Sequence, residues 1–301
     1  MSRNDAATRF AFIAVLGAPN AGKSTLVNAL TGTKVSIVSP KVQTTRARIR
    51  GIAMAGNAQL ALVDTPGIFK PGRRLDRAMV SAAWDAAGES DARLLLVDAK
   101  RGIDADTDAL IRTLEQNRQK TILVINKIDL VKKDALLPLI AALAKHAIFT
   151  DTFPVSAQTG ENIAELKQFL ADAAPEGPWM FPADDASDIP ARLFAAEITR
   201  EKLFLLLQKE LPYHVSVSTD AYREEKNAIR IEQTIIVGRA AHKPIVVGRK
   251  GEMIKKIGES ARRELTRLLG TKVNLFLFVK VQENWTDDPA QYAAWGLDYN
   301  A

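Results

Sequence analysis

The sequence predicts a doubly wound α/β domain with a mainly parallel sheet, followed by a smaller α+β domain. In the first half of the chain, short apolar runs alternate with stretches of helical spacing, which is typical of parallel strands covered by helices. The second half begins after a proline-rich break and has a different order of elements. A chain of 301 residues is also longer than one compact core usually needs.

The apolar runs of the first half predict strands at 10–16, 59–63, 93–97, 121–125 and 148–155. Helical spacing predicts helices at 23–31, 76–88, 104–118, 134–146 and 162–172. Ligands of such sheets bind at the carboxyl ends of the strands, so we expect functional residues in the loops that follow these strands.

The second half predicts a helix, two strands, a basic amphipathic helix and a last strand, at 195–211, 213–219, 228–238, 251–269 and 273–281. The stretch before it is rich in prolines and acids, and predicts an extended linker. The predicted divisions are an N-terminal tail at 1–9, a first domain at 10–173, a linker at 174–190, a second domain at 191–283 and a C-terminal tail at 284–301.

The composition excludes several classes of site and protein. There is no cysteine, which excludes disulfides and thiolate metal sites. Residues 1–10 are mostly polar and lack the pattern of a signal peptide, and no run approaches the roughly 20 apolar residues of a membrane span. We therefore expect a cytoplasmic protein, and loose association with a membrane stays open.

The net charge of +6 is unevenly distributed along the chain. Residues 34–50 carry five basic and no acidic residues, and residues 239–272 carry ten basic against three acidic ones. Residues 281–301 carry only acids. Because the window at 239–272 surrounds a glycine motif, it favours a polyanionic partner over an ordinary solvated surface.

The strand at 10–16 leads into a match to the phosphate-binding pattern G-x-x-x-x-G-K-[ST]. Glycine lets such a loop curl so that several backbone N–H groups point at one phosphate. The lysine reaches the β- and γ-phosphates, the serine ligates Mg²⁺, and the next helix offers its positive end. The predicted phosphate-binding residues are Gly17, Ala18, Pro19, Asn20, Ala21, Gly22, Lys23, Ser24 and Thr25.

Three further motifs each follow a predicted strand. After 59–63 the sequence reads Asp-Thr-Pro-Gly, where Asp64 would hold Mg²⁺ through water and the Gly67 N–H would sense the γ-phosphate. After 121–125 it reads Asn-Lys-Ile-Asp, and after 148–155 it reads Ser-Ala. The residues predicted to bind GTP beyond the phosphate loop are Asp64, Thr65, Pro66, Gly67, Ile68, Asn126, Lys127, Ile128, Asp129, Ser156 and Ala157.

The second of these motifs predicts the choice of base. The carboxylate of Asp129 can accept hydrogen bonds from N1–H and the exocyclic amine of guanine. Adenine offers neither donor there, so the acceptor would be left unpaired, at a high cost in free energy. The Ala157 N–H would lie near the guanine O6.

The order of the four motifs resembles the translation-factor-like class of small GTPases. The resemblance implies a switch I segment at 33–47, in which a threonine closes on Mg²⁺ when GTP is bound. We favour Thr45 for this role and keep Thr44 as the alternative. The implied metal ligands are then Ser24, Thr45 and Asp64.

One departure concerns hydrolysis. Ile68 stands where Ras-like enzymes have the glutamine that orients the attacking water, and an isoleucine cannot do so. Asparagine at the position of Asn20 is typical of GTPases that recruit K⁺ beside the phosphates, where a cation would stabilise transition-state charge. The alternative is a turn residue without such a role. The candidate catalytic residues are Lys23, Asn20, Thr45 and Gly67.

A second glycine motif lies in the basic window, with an apolar lead-in, two basic residues between its glycines and a helix after it. With its element order of helix, strand, strand, helix, helix and strand, this region resembles a type II KH domain. Such a turn clamps about four nucleotides of single-stranded RNA. Arg249 and Lys250 would neutralise phosphates, and the apolar residues would form a floor under the bases. The predicted RNA-binding residues are Ile245, Val247, Gly248, Arg249, Lys250, Gly251, Ile254 and Lys255.

Together, the Pro-Asn-Ala-Gly-Lys-Ser loop, the Gln-Thr-Thr-Arg switch, the Asp-Thr-Pro-Gly-Ile motif and one KH domain closely resemble the Era family of bacterial GTPases over about 10–285. The resemblance implies a ribosome-biogenesis factor that binds GTP, GDP and the 3′ end of rRNA in the small ribosomal subunit. It also implies peripheral contact with the inner membrane, and we expect a monomer. The basic window at 239–272 fits RNA binding physically, because neutralising RNA phosphates releases their counterions and so drives association.

Three alternative functions fit the sequence less well. The single phosphate loop, the single Asn-Lys-x-Asp motif and the intact glycine turn argue against a ribosome-assembly GTPase with tandem GTPase domains, and Asn126 with Asp129 argues against an ATP-dependent kinase. The four intact nucleotide motifs argue against a non-catalytic RNA-binding scaffold, which a nucleotide-binding assay would identify. We expect the four aromatic residues of the C-terminal tail to pack against the second domain, the alternative being that they stack on RNA: Trp285, Tyr292, Trp295 and Tyr299.

Overall fold

The computed structural model describes residues 7–47, 49–208 and 210–301, so residues 1–6 of the predicted N-terminal tail and Arg48 of the first basic window lie outside the described residues. The chain forms two compact units. Unit 1 holds the described residues of Met1–Ser36, Thr45–Asp188 and Gly296–Ala301. Unit 2 holds the described residues of Ile37–Thr44 and Ile189–Trp295. Residues 37–44, predicted to belong to the first domain, are therefore in unit 2, while the predicted linker and C-terminal tail are divided between the units after Asp188 and after Trp295.

Unit 1 contains a mixed sheet in the order β2-β3-β1-β4-β5-β6, all parallel except β2. Its strands are β1 (Arg9–Gly17), β2 (Ile49–Ala55), β3 (Ala58–Asp64), β4 (Ala92–Asp98), β5 (Thr121–Asn126) and β6 (Phe149–Pro154). Its helices are α1 (Lys23–Thr31), α2 (Arg74–Glu89), α3 (Ala105–Gln116), α4 (Lys133–Leu143) and α5 (Ile163–Ala173).

Alternating residues of β1 bury opposite faces of this sheet, as the period of two in a strand requires. Ile13 and Val15 pack in a cluster with Leu26 of α1. Ala14 and Leu16 pack in a second cluster with residues of α2, α3 and α4. Helices therefore cover both faces, and the predicted doubly wound α/β class is confirmed.

Strand β2 is absent from the sequence-based prediction. It pairs with β3 in an antiparallel register that runs from Ile49 opposite Asp64 to Ala55 opposite Ala58. The run Ile-Arg-Gly-Ile-Ala-Met-Ala has small residues and no long apolar stretch. Its strand state depends on the neighbour across the sheet, because pairing outweighs a weak local propensity.

The predicted linker at 174–190 lies along unit 1. Its Pro175 carbonyl accepts a hydrogen bond from the Phe10 N–H at 3.0 Å. The Arg50 guanidinium and the Asp188 carboxylate form an ion pair at 2.7 Å, at the end of this stretch. The extended chain is thus fixed to unit 1 by backbone and side-chain contacts as far as Asp188.

Unit 2 is a three-stranded sheet in the order β7-β8-β9, with β7 antiparallel and β9 parallel to β8. Its elements are α6 (Ala191–Leu206), β7 (Val215–Glu225), β8 (Ala228–Val237), α7 (Lys243–Val247), α8 (Glu252–Leu269) and β9 (Val273–Val281). This is the element order of the predicted type II KH domain.

The helix predicted at 195–211 is displaced. Helix α6 begins directly after Pro190 and ends at Leu206, where Leu207 turns to an extended conformation. Proline suits the start of a helix because its missing N–H would be unpaired there. Pro212 lies in the first turn of a separate short 3₁₀ helix, Leu211–His214, where its missing N–H leaves no hydrogen bond unmade.

The C-terminal tail is divided between the two units. Trp285, Tyr292 and Trp295 are buried in unit 2, the last two on the short helix α9 (Pro289–Trp295). Tyr299 instead belongs to unit 1, where the Arg74 guanidinium lies 4.4 Å from its ring centroid. The expectation that all four aromatic residues pack against the second domain is therefore wrong for Tyr299.

Candidate functional site

The phosphate-binding loop lies between the end of β1 and the start of α1. The ammonium group of Lys23 is buried and donates to the carbonyl oxygens of Gly17 at 3.0 Å and Ala18 at 3.1 Å. Burial lowers the pKa of Lys23 to about 8, although the charge of Asp64 opposes this shift. The N-terminal N–H groups of α1 point to the same loop, so an anion bound here meets both the lysine and the helix dipole.

A cluster of oxygen atoms lies beside this loop. The Ser24 Oγ is 2.9 Å from the Thr45 Oγ1, which donates to the Asp64 Oδ2 at 3.2 Å. Asp64 is fully buried and burial raises its pKa, while its Oδ1 has no hydrogen-bond partner within the part of the chain that the structure describes. Hard oxygen ligands with an unpaired carboxylate atom suit Mg²⁺. These residues therefore fit the predicted metal.

The two candidate threonines have different surroundings. The Thr44 hydroxyl lies 2.7 Å from the Ser39 Oγ and donates to the Lys41 carbonyl at 2.7 Å. Only Thr45 of this pair contacts Ser24 and the aspartate. The geometry therefore favours Thr45 over Thr44 as the metal ligand.

Asn126 joins the loops predicted to bind the nucleotide. Its Nδ2 donates to the Ala21 carbonyl at 2.9 Å, and its Oδ1 accepts from the N–H groups of Lys127 at 2.8 Å and Ala157 at 3.0 Å. The Ala157 N–H expected near the guanine O6 is thus bonded to Asn126 here. Asp129 is exposed and accepts from the Ser156 Oγ at 2.6 Å, which places it at the same edge of the sheet.

Two contacts on the phosphate loop were missed by sequence reasoning. The Lys127 Nζ donates to the Asn20 carbonyl at 2.6 Å and to the Asp98 Oδ2 at 2.7 Å. The Arg101 guanidinium donates to the Pro19 carbonyl at 2.9 Å. Asp98 ends β4 and Arg101 follows it closely, so both lie at the carboxyl edge of the sheet, where ligands bind. This position could have identified them from the sequence, although no short motif marks them.

The Asp-Thr-Pro-Gly segment packs against β1. The Thr65 hydroxyl donates to the Val15 carbonyl at 2.6 Å, and the Ile68 N–H donates to the Gly17 carbonyl at 3.3 Å. The Ile68 side chain is buried in the cluster that contains Ala14. It therefore faces the core, as expected of a residue that does not orient a water molecule.

The glycine turn of unit 2 connects α7 to α8. At Gly248, with φ +77°, an added Cβ would lie 2.6 Å from Met253, whereas at Gly251, with φ +82°, it would meet no heavy atom within 4 Å. Arg249 and Lys250 are exposed between them. The turn thus has one glycine that its own packing requires, and one that is open to a ligand.

A cavity of about 340 Å³ lies beside this turn, between α8 and β9. Its lining includes Ile254 and Lys255, two of the predicted RNA-binding residues, but not Ile245 or Val247. The expectation that all three predicted apolar residues form one floor is therefore not met in this cavity. The full lining is Ile254, Lys255, Gly258, Glu259, Arg262, Leu275 and Leu277, and sequence reasoning missed the two leucines of β9.

Comparison with protein families gives two matches. Residues 12–127 match a family described as 50S ribosome-binding GTPase. Residues 210–286 match the KH domain family. The two matches fall on the two halves in which the phosphate loop and the glycine turn lie.

The chain is also similar to whole proteins. The GTPase Era of Mesorhizobium japonicum is 54% identical over 294 residues, which cover 97% of this chain and 95% of that protein. The GTPase Era of Brucella suis is 52% identical over 293 residues, with 97% and 94% coverage. These relatives therefore match both halves in one chain.

Two solved structures are similar over 96% of this chain and 99% of theirs, each with 39% sequence identity. One is an Aquifex aeolicus Era variant bound to GDP·AlF4⁻, with a TM-score of 0.90. The other is Era in complex with MgGDPNP and nucleotides 1506–1542 of 16S ribosomal RNA, with a TM-score of 0.91.

The contact between the phosphate loop and Asn126 gives a testable prediction. An added Cβ at Gly22 would lie 2.3 Å from the Asn126 Nδ2, so Gly22→Ala should displace that amide and leave buried groups unpaired. We expect GTP binding to weaken about tenfold or more, as measured by fluorescent-nucleotide titration.

The matched control is Gly32→Ala. Gly32 also has a left-handed conformation, with φ +75°, but its added Cβ meets nothing within 4 Å. Both variants should lose about 1–2 kcal/mol of unfolding free energy through backbone strain. Equal GTP affinities in the two variants would contradict the role given to Asn126.

Proposed function

Since this chain belongs to the Era family of GTPases, we propose that it is a GTP-hydrolysing switch that binds the 3′ end of rRNA during assembly of the small ribosomal subunit. Hydrolysis of GTP to GDP and phosphate is the activity of the family. The observation that carries the proposal is the pairing of a complete nucleotide site in unit 1 with an open basic glycine turn in unit 2.

The proposed roles in hydrolysis follow from the site. Lys23 and the N–H groups at the start of α1 hold the β- and γ-phosphates. Ser24, Thr45 and Asp64 would hold Mg²⁺, and the bound ion would supply positive charge to the phosphate oxygens. The Gly67 N–H senses the γ-phosphate, and Asp129 recognises guanine. Groups that already lie where charge develops on the phosphates lower the reorganisation cost of the reaction.

Asn20 would hold K⁺, and the ion would supply positive charge that stabilises the transition state. Two observations support it: Ile68 faces the core where a glutamine would orient water, and Asn20 has a left-handed backbone with φ +64° in the loop. Its carbonyl is fixed by Lys127, so the side chain starts from a defined position.

Hydrolysis should therefore depend on potassium. We expect turnover in K⁺ to exceed turnover in Na⁺ by about tenfold or more at equal ionic strength, because an electrostatic contact in the transition state is lost. Asn20→Ala should remove the difference, while Asn117→Ala, on an exposed helix end, should keep it. The same rate in both salts for the unaltered protein would exclude K⁺ from the reaction.

RNA binding is proposed for the turn at 248–251 and the adjacent cavity. The backbone of the turn is accessible to a ligand at Gly251, and the exposed Arg249 and Lys250 supply positive charge to phosphates. Ile254 offers an apolar wall, which a base can contact. The Era structure with 16S rRNA supports the choice of the rRNA 3′ end as the ligand.

Gly251→Asp should abolish binding of an rRNA 3′-end oligonucleotide, because it adds a side chain and a negative charge where a phosphate would lie. GTP affinity should stay near that of the unaltered protein. Gly270→Asp is the matched control, since Gly270 ends α8 with φ +65° and also opens to free space. Filter binding with both variants is the measurement, and RNA binding by Gly251→Asp at the unaltered affinity would refute the assignment.

We also propose peripheral contact with the cytoplasmic face of the inner membrane, through α4. Within the described residues, the helices are too short or too polar to cross a bilayer. The outward side of α4 is nevertheless apolar, with Leu137 66% exposed beside exposed Ala135, Pro138 and Ala141. Exposed lysines flank it at 132, 133 and 145. Apolar side chains bounded by cations suit the surface of an anionic membrane.

This contact predicts binding to vesicles of phosphatidylglycerol and phosphatidylethanolamine. Leu137→Glu should weaken co-sedimentation about tenfold or more, because burial of a leucine contributes about 1.5–3 kcal/mol and the new charge is repelled. Leu205→Glu is the control, as Leu205 is 49% exposed on a helix of unit 2. Equal effects of the two substitutions would exclude α4 as the contact.

A further inference from the structure

The central part of the predicted switch I segment belongs to unit 2. Residues 37–44 pack with α6 and its neighbours, although the chain before Ile37 and after Thr44 belongs to unit 1. Sequence reasoning placed the whole of 33–47 in the nucleotide-binding domain. The chain therefore passes directly from a segment held in unit 2 to Thr45, the proposed metal ligand, in unit 1.

Apolar and polar contacts hold this segment on α6. Ile37 is 2% exposed, in a cluster with Ala195 and Ile198 of the helix. The Val38 N–H donates to the Glu201 carboxylate at 2.8 Å. The Lys41 ammonium donates to the carbonyls of Phe204 and Leu207. Those carbonyls lie at the C-terminal end of α6, where a cation is favoured by the unpaired acceptors and the helix dipole.

A buried ion pair makes the last contact of the segment. Arg200 is 1% and Glu197 2% exposed, and the two are bonded through both carboxylate oxygens. The Arg200 Nη2 also donates to the Thr44 carbonyl, while its Nη1 has no hydrogen-bond partner among the described residues. Burying such a pair costs desolvation that offsets most of its attraction, so its presence is weak evidence for a role in stability. What the pair provides is a fixed donor for the Thr44 carbonyl.

That carbonyl belongs to the peptide that joins Thr44 to Thr45. The peptide is planar, so fixing its oxygen limits where the next residue can lie. The Thr45 hydroxyl is the group that contacts Ser24 at 2.9 Å and Asp64 at 3.2 Å. One end of this short stretch is thus fixed by unit 2, and the other end carries a proposed metal ligand of unit 1.

We propose that α6 is a dock for residues 37–44, and that Arg200, Glu197 and Lys41 are positioning residues for GTP hydrolysis that hold Thr45 at the metal site. This inference rests on the proposed role of Thr45. The proposed contact of Thr45 with Mg²⁺ belongs to the GTP-bound state, so GDP, which lacks the γ-phosphate, should bind without it. Loss of the dock should therefore impair hydrolysis and the response to Mg²⁺, and leave GDP affinity unchanged.

Two variants remove the dock without leaving a buried charge alone. Lys41→Met removes the contacts at the end of α6, and the double variant Glu197→Gln/Arg200→Met removes both members of the ion pair. Lys226→Met and Arg223→Met are the controls, because both residues are exposed on unit 2 and belong neither to α6 nor to residues 37–44. Arg200→Lys keeps a cation and should restore part of the lost rate.

The measurement is single-turnover GTP hydrolysis across a series of Mg²⁺ concentrations, with GDP affinity and thermal unfolding measured in parallel. Both dock variants should be about fivefold or more slower, as coupling of this kind typically gives, and should need more Mg²⁺ for half of their maximal rate. A variant that merely loosened the fold would lower GDP affinity and the unfolding temperature without changing the Mg²⁺ requirement.

Thr45→Ala separates the two levels of the proposal. If Thr45→Ala hydrolyses GTP like the unaltered protein, the metal role of Thr45 is refuted, and with it the proposal that the dock positions this residue for hydrolysis. If Thr45→Ala is impaired while both dock variants match the unaltered protein at every Mg²⁺ concentration, the dock is refuted and the site stands. Slower hydrolysis with a raised Mg²⁺ requirement, unchanged GDP affinity and partial rescue by Arg200→Lys supports the dock.

Discussion

The nucleotide site depends on the side-chain amide of Asn126. This residue ends β5, and its two polar atoms connect the phosphate loop at Ala21 with the loop that begins at Ala157. Because the amide is buried, water cannot substitute for a lost hydrogen bond. Losing any of these hydrogen bonds would therefore leave a buried polar group unpaired. A single side chain thereby sets the distance between the groups for phosphate and those for the base. The sheet supplies the edge, and this amide fixes the spacing along it.

The same site holds charges that the protein alone does not fully compensate. Burial lowers the pKa of Lys23 and raises that of Asp64, so each charged form is disfavoured by the loss of water. A polyphosphate would offset the first effect and a divalent cation the second. A nucleotide bound together with its metal would thus pair a negative charge with Lys23 and a positive charge with Asp64. This arrangement favours a ligand that brings both charges together.

Each unit includes one short segment that is separated along the chain from the rest of that unit. Residues 37–44 pack in unit 2, and residues 296–301 pack in unit 1. The first segment precedes the proposed metal ligand, and the second contacts Arg74 at the start of α2, soon after the Asp-Thr-Pro-Gly motif. Both are next to segments that contact the γ-phosphate in the proposed function. Coupling through these segments would, by linkage, change nucleotide binding and ligand binding at unit 2 by the same factor.

The fold class, the order of the units and the motifs proposed to bind phosphate, base and RNA could be read from the sequence alone. These features are local, since a strand followed by a glycine loop and a helix needs only neighbouring residues to be recognised. The tertiary structure decided what depends on distant residues. Strand β2 forms because β3 lies beside it, and the environments of Thr44 and Thr45 differ because only the latter meets Asp64. The dock on α6 needs residues more than 150 positions apart in sequence, such as Thr44 and Arg200, and no pattern within one segment records that pairing.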